Sequence, residues 1–269
     1  MALGRTVIAV VMSVTAALSV EGAAAHVEPR PAANAPSTTA AAAPVAVVTP
    51  AAVPTTRVAE DEEEAECVRV KGAMACVGPD ASDRPGITIE DTRNDRLHPA
   101  VEYYLNGYLG TKYVIHNLAR EGEIKGSREI GKTVTFRAAV YNGSELIKVS
   151  RWKTVRDVTK YPVKRETSVT PATAQARSKV CTSTKGAASI CFGGGKNTFV
   201  FACDTGADTH QARAEYFVDG DPTARFEIHQ LAGLNTCGKA QHGELRVSMY
   251  RASVFDGEDE VATRLYRYN

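Results

Sequence analysis

The sequence has no apolar run of the about 18 to 20 residues that a membrane-spanning helix needs, which argues against membrane insertion. The nearest approach, Thr6 to Val20, falls short. It also has little net charge. With 32 basic and 31 acidic side chains the chain carries +1, so nothing draws it globally to nucleic acid or to a membrane surface. There is no Cys-x-x-Cys pair, the usual spacing of metal ligands and redox dithiols. There is no Gly-x-Ser-x-Gly nucleophile elbow, and no ten-residue stretch carries a clean helical stripe.

What is present begins with an address. Arg5, the apolar stretch and then Ala23-Ala24-Ala25, the small residues that signal peptidase accepts, read as a signal peptide over residues 1–25, with the mature start near His26. Residues 26–66 form a tether rich in Ala, Pro and Thr, its prolines at 29, 31, 36, 44, 50 and 54 blocking helix continuation. The tether ends in Glu60, Asp61, Glu62, Glu63, Glu64 and Glu66. Such a block of like charge repels itself and stays solvated, as a spacer or as a tail for calcium or a basic partner. The expectation is a secreted, extracellular protein.

The most informative feature is self-similarity. Cys67-x-x-x-Lys71-Gly72-Ala73-x-x-Cys76 recurs as Cys181-x-x-x-Lys185-Gly186-Ala187-x-x-x-Cys191. Asp91-Thr92-x-x-Asp95 recurs as Asp204-Thr205-x-x-Asp208, Glu102-Tyr103-Tyr104 as Glu215-Tyr216-Phe217, and Gly107 as Gly220. Tyr113 to Ala119 matches Phe226 to Ala232, which pairs His116 with His229, and Phe136 to Gly143 matches Tyr250 to Gly257. A tandem repeat is the reading: one copy over 67–157, a linker over 158–179, and a second copy over 180–269. Short alternating segments such as Thr133 to Tyr141 and Leu245 to Phe255 mark each copy as β. Asn142-Gly143 and Asp256-Gly257 read as type I′ hairpin turns. The predicted fold class is all-β: two tandem small β-sandwich-like domains, disulfide-stapled and joined by a flexible linker, with the chain a monomer.

Six cysteines in an exported chain allow 15 pairings, and the repeat narrows them. Cys67 with Cys76 and Cys181 with Cys191 occur in both copies and read as staples across the first hairpin of each. Cys203 and Cys237 occur only in the second copy, opposite Glu90 and Glu123 in the first, and are expected to pair with each other.

Several residues invite a chemical reading. Asp204-Thr205-Gly206 has the form in which aspartic peptidases present a catalytic carboxylate, but its counterpart Asp91-Thr92-Arg93 lacks the glycine. Asp91, Asp95, Asp204 and Asp208, with Glu102 and Glu215 as further candidates, could offer hard oxygens to calcium, or else cap backbone N–H groups in Asx turns. His116 and His229 read either as ligands or as imidazoles without one. Among the aromatics that could stack on a sugar, Tyr103, Tyr104, Tyr113, Tyr141 and Trp152 have aromatic or aliphatic counterparts, as a packed core permits. That leaves Tyr108 as the open candidate for binding. No catalytic constellation emerges, so an enzyme is not the expected class.

Charge divides the copies. Residues 67–157 hold 15 basic and 11 acidic side chains (15 − 11 = +4), and residues 180–269 hold 9 and 11 (9 − 11 = −2). A basic first copy could lean toward anionic wall polymer.

The order Cys181, Lys185-Gly186-Ala187, Cys191-Phe192, Asp204-Thr205-x-Ala207-Asp208, then a late Arg-Ala before a Gly turn, resembles small secreted proteins of Streptomyces-type actinomycetes. The first copy departs from that pattern, with Val77 after its second cysteine and Arg93-Asn94 in place of Gly-Ala. The resemblance implies export, a small β domain and disulfides, and implies no activity or substrate. The function expected is a secreted non-catalytic binding or cell-surface-associated protein, its partner an extracellular protein or wall glycan. A secreted proteinase inhibitor presenting the Cys67–Cys76 loop is the alternative, and a calcium-binding β module or an aspartic-type peptidase is the third class.

Overall fold

A computed structural model of the chain describes residues 65–79, 84–160, 162, 169–184, 187–194 and 197–269. The expected signal peptide, the tether with its acidic residues through Glu64, most of the first part of the linker, and Lys185-Gly186 lie outside the described residues.

The alternating segments form strands. In the first half these are β1 (Glu66–Val70), β2 (Ala73–Pro79), β3 (Pro85–Asp91), β4 (His98–Leu105) and β5 (Thr111–Asn117). They continue with β6 (Ile124–Ser127), β7 (Thr133–Asn142), β8 (Glu145–Val149) and β9 (Lys153–Arg156). A short helix, α1 (Pro171–Ala176), opens the second half, followed by β10 (Ser178–Ser183), β11 (Ala188–Gly193), β12 (Phe199–Asp204) and β13 (Gln211–Val218). The remainder are β14 (Ala224–Gln230), β15 (Thr236–Gln241), β16 (Val247–Asp256), β17 (Asp259–Thr263) and β18 (Arg267–Tyr268). Among the described residues the fold is all-β apart from α1.

Two four-stranded antiparallel sheets have the same strand order, β1-β2-β3-β6 and β10-β11-β12-β15. The other strands make one ten-stranded sheet, β17-β16-β13-β14-β5-β4-β7-β8, with β9 beside β7 and β18 beside β16. Both small sheets pack on the same face of the large one. Because side chains alternate along a strand, that face collects every second residue: Val101, Tyr103, Ile115, Phe136, Ala214, Tyr216, Phe226 and Ile228. These meet Ile87 and Ile89 from one small sheet and Ile190, Phe192 and Val200 from the other in one buried cluster.

The halves are therefore not two beads on a string. β5 of the first pairs antiparallel with β14 of the second, Ile115 opposite Phe226 and Tyr113 opposite Ile228, and Val58–Asn269 forms one compact unit. The expectation of two domains joined by a flexible linker is corrected here, and the physical reason is the edge strand. Each half alone would leave an open edge, at β5 or β14, and pairing the two edges satisfies both rows of backbone groups. The latter part of the predicted linker is also anchored. Val169 accepts from the Cys237 N–H at 2.9 Å, and α1 follows, capped by the Thr170 hydroxyl with Pro171 in its first turn. Val169 and Ala174 pack with Phe201 and the cysteines on the outer face of the second small sheet.

The turn chemistry differs from the reading by one residue. Asn142 pairs with Glu145 and Asp256 with Asp259, so the central residues are Gly143-Ser144 and Gly257-Glu258, with φ positive (62° and 61°) only at the glycine. That is the residue pattern of a type II′ turn. The type I′ pairs lie elsewhere. Asn106-Gly107 (53°, 71°) and Asp219-Gly220 (43°, 72°) are each closed by an N–H to C=O bond, from Tyr108 to Leu105 and from Asp221 to Val218.

The three disulfides join Cys67 to Cys76, Cys181 to Cys191 and Cys203 to Cys237, each bridging directly opposed residues of neighbouring strands. In the first half the row of Cys203 and Cys237 is occupied by Glu90 opposite Ile124. Closing a longer loop removes more freedom from the unfolded chain. By loop-closure entropy the 34-residue separation of Cys203 and Cys237 is worth about 3.8 kcal/mol and the 9-residue separation of Cys67 and Cys76 about 2.6 kcal/mol. Urea melts of the two double-alanine variants are expected to show the Cys203/Cys237 pair as the costlier loss by about 1 kcal/mol. Equal or reversed losses would contradict this ordering.

Candidate functional site

The second face of the central sheet looks in sequence like a solvent face, since its positions hold charge. They are buried. Glu102, Glu215, Glu227, Lys112, Arg213, His116 and His229 are each at most 8% exposed. Burying charge is tolerable only with a partner, and each carboxylate has several. Glu102 accepts from Arg137 at 2.5 Å, from the Tyr141 hydroxyl at 2.6 Å and from Lys112 at 3.3 Å. Glu215 takes Arg251 at 2.6 Å, the Tyr266 hydroxyl at 2.9 Å and the Ser253 hydroxyl at 3.3 Å. Glu227 lies 2.9 Å from His116, 2.8 Å from His229 and 3.1 Å from Arg225. Glu102 and Arg137 are direct cross-strand partners, as are Glu215 and Arg251.

The histidines that match in sequence thus meet at one carboxylate. His116 Nε2 lies 2.9 Å from Glu227 and 3.2 Å from Arg225 Nη2, and its Nδ1 lies 3.1 Å from His98 Nε2. Burial, reinforced by the neighbouring cations, holds His98 and His229 down to about 3, and burial lowers His116 against the pull of Glu227. Burial works to raise Glu102, but Lys112, Tyr141 and Arg137 together bring it down to about 2. The network is a joint between halves, and it is filled.

The opening lies on the other layer. β6 and β15 are the inner edges of the two small sheets, lying over β5 and β14, and a cleft of about 930 Å³ runs between them. Arg84, Arg128 and Glu129 line it from the first half, and Phe226, Lys239 and His242 from the second. Its floor is aromatic, with Phe226 stacked on Tyr216 at 5.7 Å and meeting the His242 ring edge-on at 4.8 Å. The β15 edge is tied down from across the cleft. The Tyr113 hydroxyl donates to the Lys239 carbonyl at 2.7 Å, and the Glu129 carboxyl accepts from the Gln241 N–H.

Glu129 and His242 stand at equivalent places. Counting from the matched row, 129 − 124 = 5 and 242 − 237 = 5. Burial pushes Glu129 well above the usual carboxylate range and His242 down to about 4, with the Tyr216 hydroxyl 2.8 Å from its Nε2. The floor therefore offers a carboxyl whose burial favours the protonated form and, at neutral pH, an uncharged imidazole, under a rim of Arg84, Arg128, Lys239 and Glu244.

Other predicted residues go elsewhere. Asp91, Asp95, Asp204 and Asp208 each accept a backbone N–H two residues on, from Arg93, Leu97, Gly206 and His210, so all four build Asx turns. Among the described residues no group of three or more His, Cys, Asp or Glu is placed to hold a metal ion. In each case the turn uses one carboxylate oxygen, Oδ1. Tyr108 follows a type I′ turn with its ring against Gly110, where a Cβ would come within 2.3 Å of it, and it does not reach the cleft. The Cys67–Cys76 segment is a ladder closed by Lys71-Gly72, with Val68 opposite Ala75 and Val70 opposite Ala73, so it projects no extended loop. No helix among the described residues is long and apolar enough to cross a membrane. Comparison of the chain with protein-family models and with curated proteins finds no match.

An imidazole held below its unfolded value takes up a proton on unfolding. Its stabilisation is complete above about pH 6.5 and is lost as pH falls toward 4. Buried His229 adds a slope approaching about 1.4 kcal/mol per pH unit in that window, and His242, His98 and His116 act in the same direction. Glu129, raised by burial, acts in the opposite direction. Urea-derived stability is expected to fall steadily from pH 6.5 to 4, and His242→Gln to remove one proton from the slope. A stability that stays flat across that range would contradict the buried neutral imidazoles.

Proposed function

We propose that this is a secreted, non-catalytic binding protein, built by tandem duplication, that takes its ligand in the cleft between β6 and β15. The observation that carries the reading is the composition of that cleft. Both halves contribute to it, its floor is apolar and aromatic, and a few convergent polar groups, Glu129 and His242 among them, have shifted protonation, as ligand sites commonly do. Export is supported by the N-terminal apolar stretch with Ala23-Ala24-Ala25 and by three disulfides, which persist in oxidising compartments. Duplication is supported by the ordered sequence matches and by the common strand order of the small sheets. The resemblance to small secreted actinomycete proteins points the same way.

The ligand is an extracellular protein or wall glycan that meets a hydrogen-bonding, aromatic floor and a rim with Arg84, Arg128 and Lys239. Proteins and glycans extracted from the producer's own wall, immobilised at physiological salt, are expected to retain the protein. Arg128→Glu and Leu245→Asp, at exposed rim positions, are expected to weaken retention at least tenfold with the melting temperature unchanged. No retention of the unaltered protein removes the binding role. Equal retention of the variants moves the site away from the cleft.

A further inference from the structure

We infer that the first half binds an anionic carbohydrate polymer, through its phosphate or carboxylate groups, in a basic hollow between the β3–β4 and β5–β6 loops. The hollow measures about 740 Å³, is lined in part by Arg93, Arg96, Leu97, Leu118 and Arg120, and shares no residue with the cleft. The aspartates that stand out in the sequence shape it. Asp91 and Asp95 hold the β3–β4 loop in two successive Asx turns, accepting from the Arg93 N–H at 2.9 Å and the Leu97 N–H at 2.8 Å. Asn117 does the same for the β5–β6 loop, accepting from the Ala119 N–H at 3.0 Å. The loops are also tied to each other, since the Gly122 N–H donates to the Asp91 carbonyl at 2.8 Å. Arginines from two loops are thus brought to one opening before any ligand arrives, and less freedom is lost on binding.

The second half separates scaffold from chemistry. Asp204 and Asp208 make the same two turns there, yet Gly206, Thr209 and Gly233 stand where the first half has Arg93, Arg96 and Arg120. These places give the first half three more cations, and Glu121 in place of Leu234 returns one charge (3 − 1 = +2). The turns form without the arginines, so the fold does not require them. Within the hollow most of the acid is engaged. Asp95 pairs with Arg93 at 3.4 Å, and Asp91 is buried in its turn. Arg96 and Arg120 remain, both exposed and without a side-chain hydrogen bond or ion pair among the described residues, against Glu121. A guanidinium presents its donors as a planar fork that fits two oxygens of a phosphate or carboxylate. One such contact at a surface is weak, but charges repeated along a polymer let both arginines engage one chain.

Retention of the full exported chain on immobilised phosphomannan and polygalacturonate, with neutral mannan as the blank, tests the site and tells phosphate from carboxylate. The protein is expected to be held by at least one polyanion at low salt and released as salt rises. Arg96→Glu with Arg120→Glu is expected to weaken retention at least tenfold with the melting temperature unchanged. Arg69→Glu with Arg264→Glu, the same charge change at exposed positions elsewhere, is expected to leave it within about twofold. No retention on either polyanion, equal retention on neutral mannan, or equal retention of the two paired variants overturns the inference. The wall-extract assay with the cleft variants reads the other site, so either reading can fail while the other stands.

Discussion

Three carboxylates lie buried on the second face of the central sheet, each with an arginine against it, and the way the halves join depends on this arrangement. Glu102 with Arg137 belongs to the first half, and Glu215 with Arg251 to the second. The third set, Glu227 with Arg225 and His229, reaches across to His116 on β5. Glu215 and Glu227 stand directly opposite each other, which would be unfavourable without the guanidinium groups beside them. Removing one partner of a buried ion pair typically costs about 3 to 5 kcal/mol, because the other charge is left stranded. The network therefore constrains register more than it adds raw stability. A slip by one residue along β5 and β14 would turn every charge into the apolar core.

The opposite face makes the complementary demand. Its aromatic and aliphatic residues from both halves form one cluster under the small sheets, so the ten-stranded sheet is fixed from above by packing and from below by charge. With β5 and β14 locked together, β6 and β15 are held over them at a set separation, and the gap between those edges is the cleft. Its chemistry follows from small differences at equivalent places: Glu129 where the other half has His242, Arg128 where it has Gln241. Arg128, Glu129 and His242 lie just past their edge strands and Gln241 is the last residue of β15.

Much of the fold is legible in the sequence. Alternating Val, Ile, Tyr and Thr mark strands, and the opposed cysteines and the hairpins near Asn142 and Asp256 fall where their spacing put them. The union of the halves was not legible. It depends on which face Glu102, His116 and Glu227 occupy, and a charged residue alternating with apolar ones reads as solvent-facing until its partners on other strands are known. The shift of the hairpin centre to Gly143-Ser144 is likewise a matter of pairing that dipeptide preference does not decide. The cleft was least visible. Glu129 and His242 matter through burial and proximity, and neither sits in a motif. Asp91 and Asp204 drew attention through local pattern and turned out to cap their own turns.

The central claim, that the pairing of β5 with β14 is as stable as either half, is tested most directly by native-state hydrogen exchange. Amides of Ile115, Phe226 and Ile228 are expected to exchange only through global unfolding, with the same free energy as Val101 in the first half and Ala214 in the second. Faster exchange along β5 and β14, with the flanking strands still protected, would show the halves parting on their own and would contradict the account.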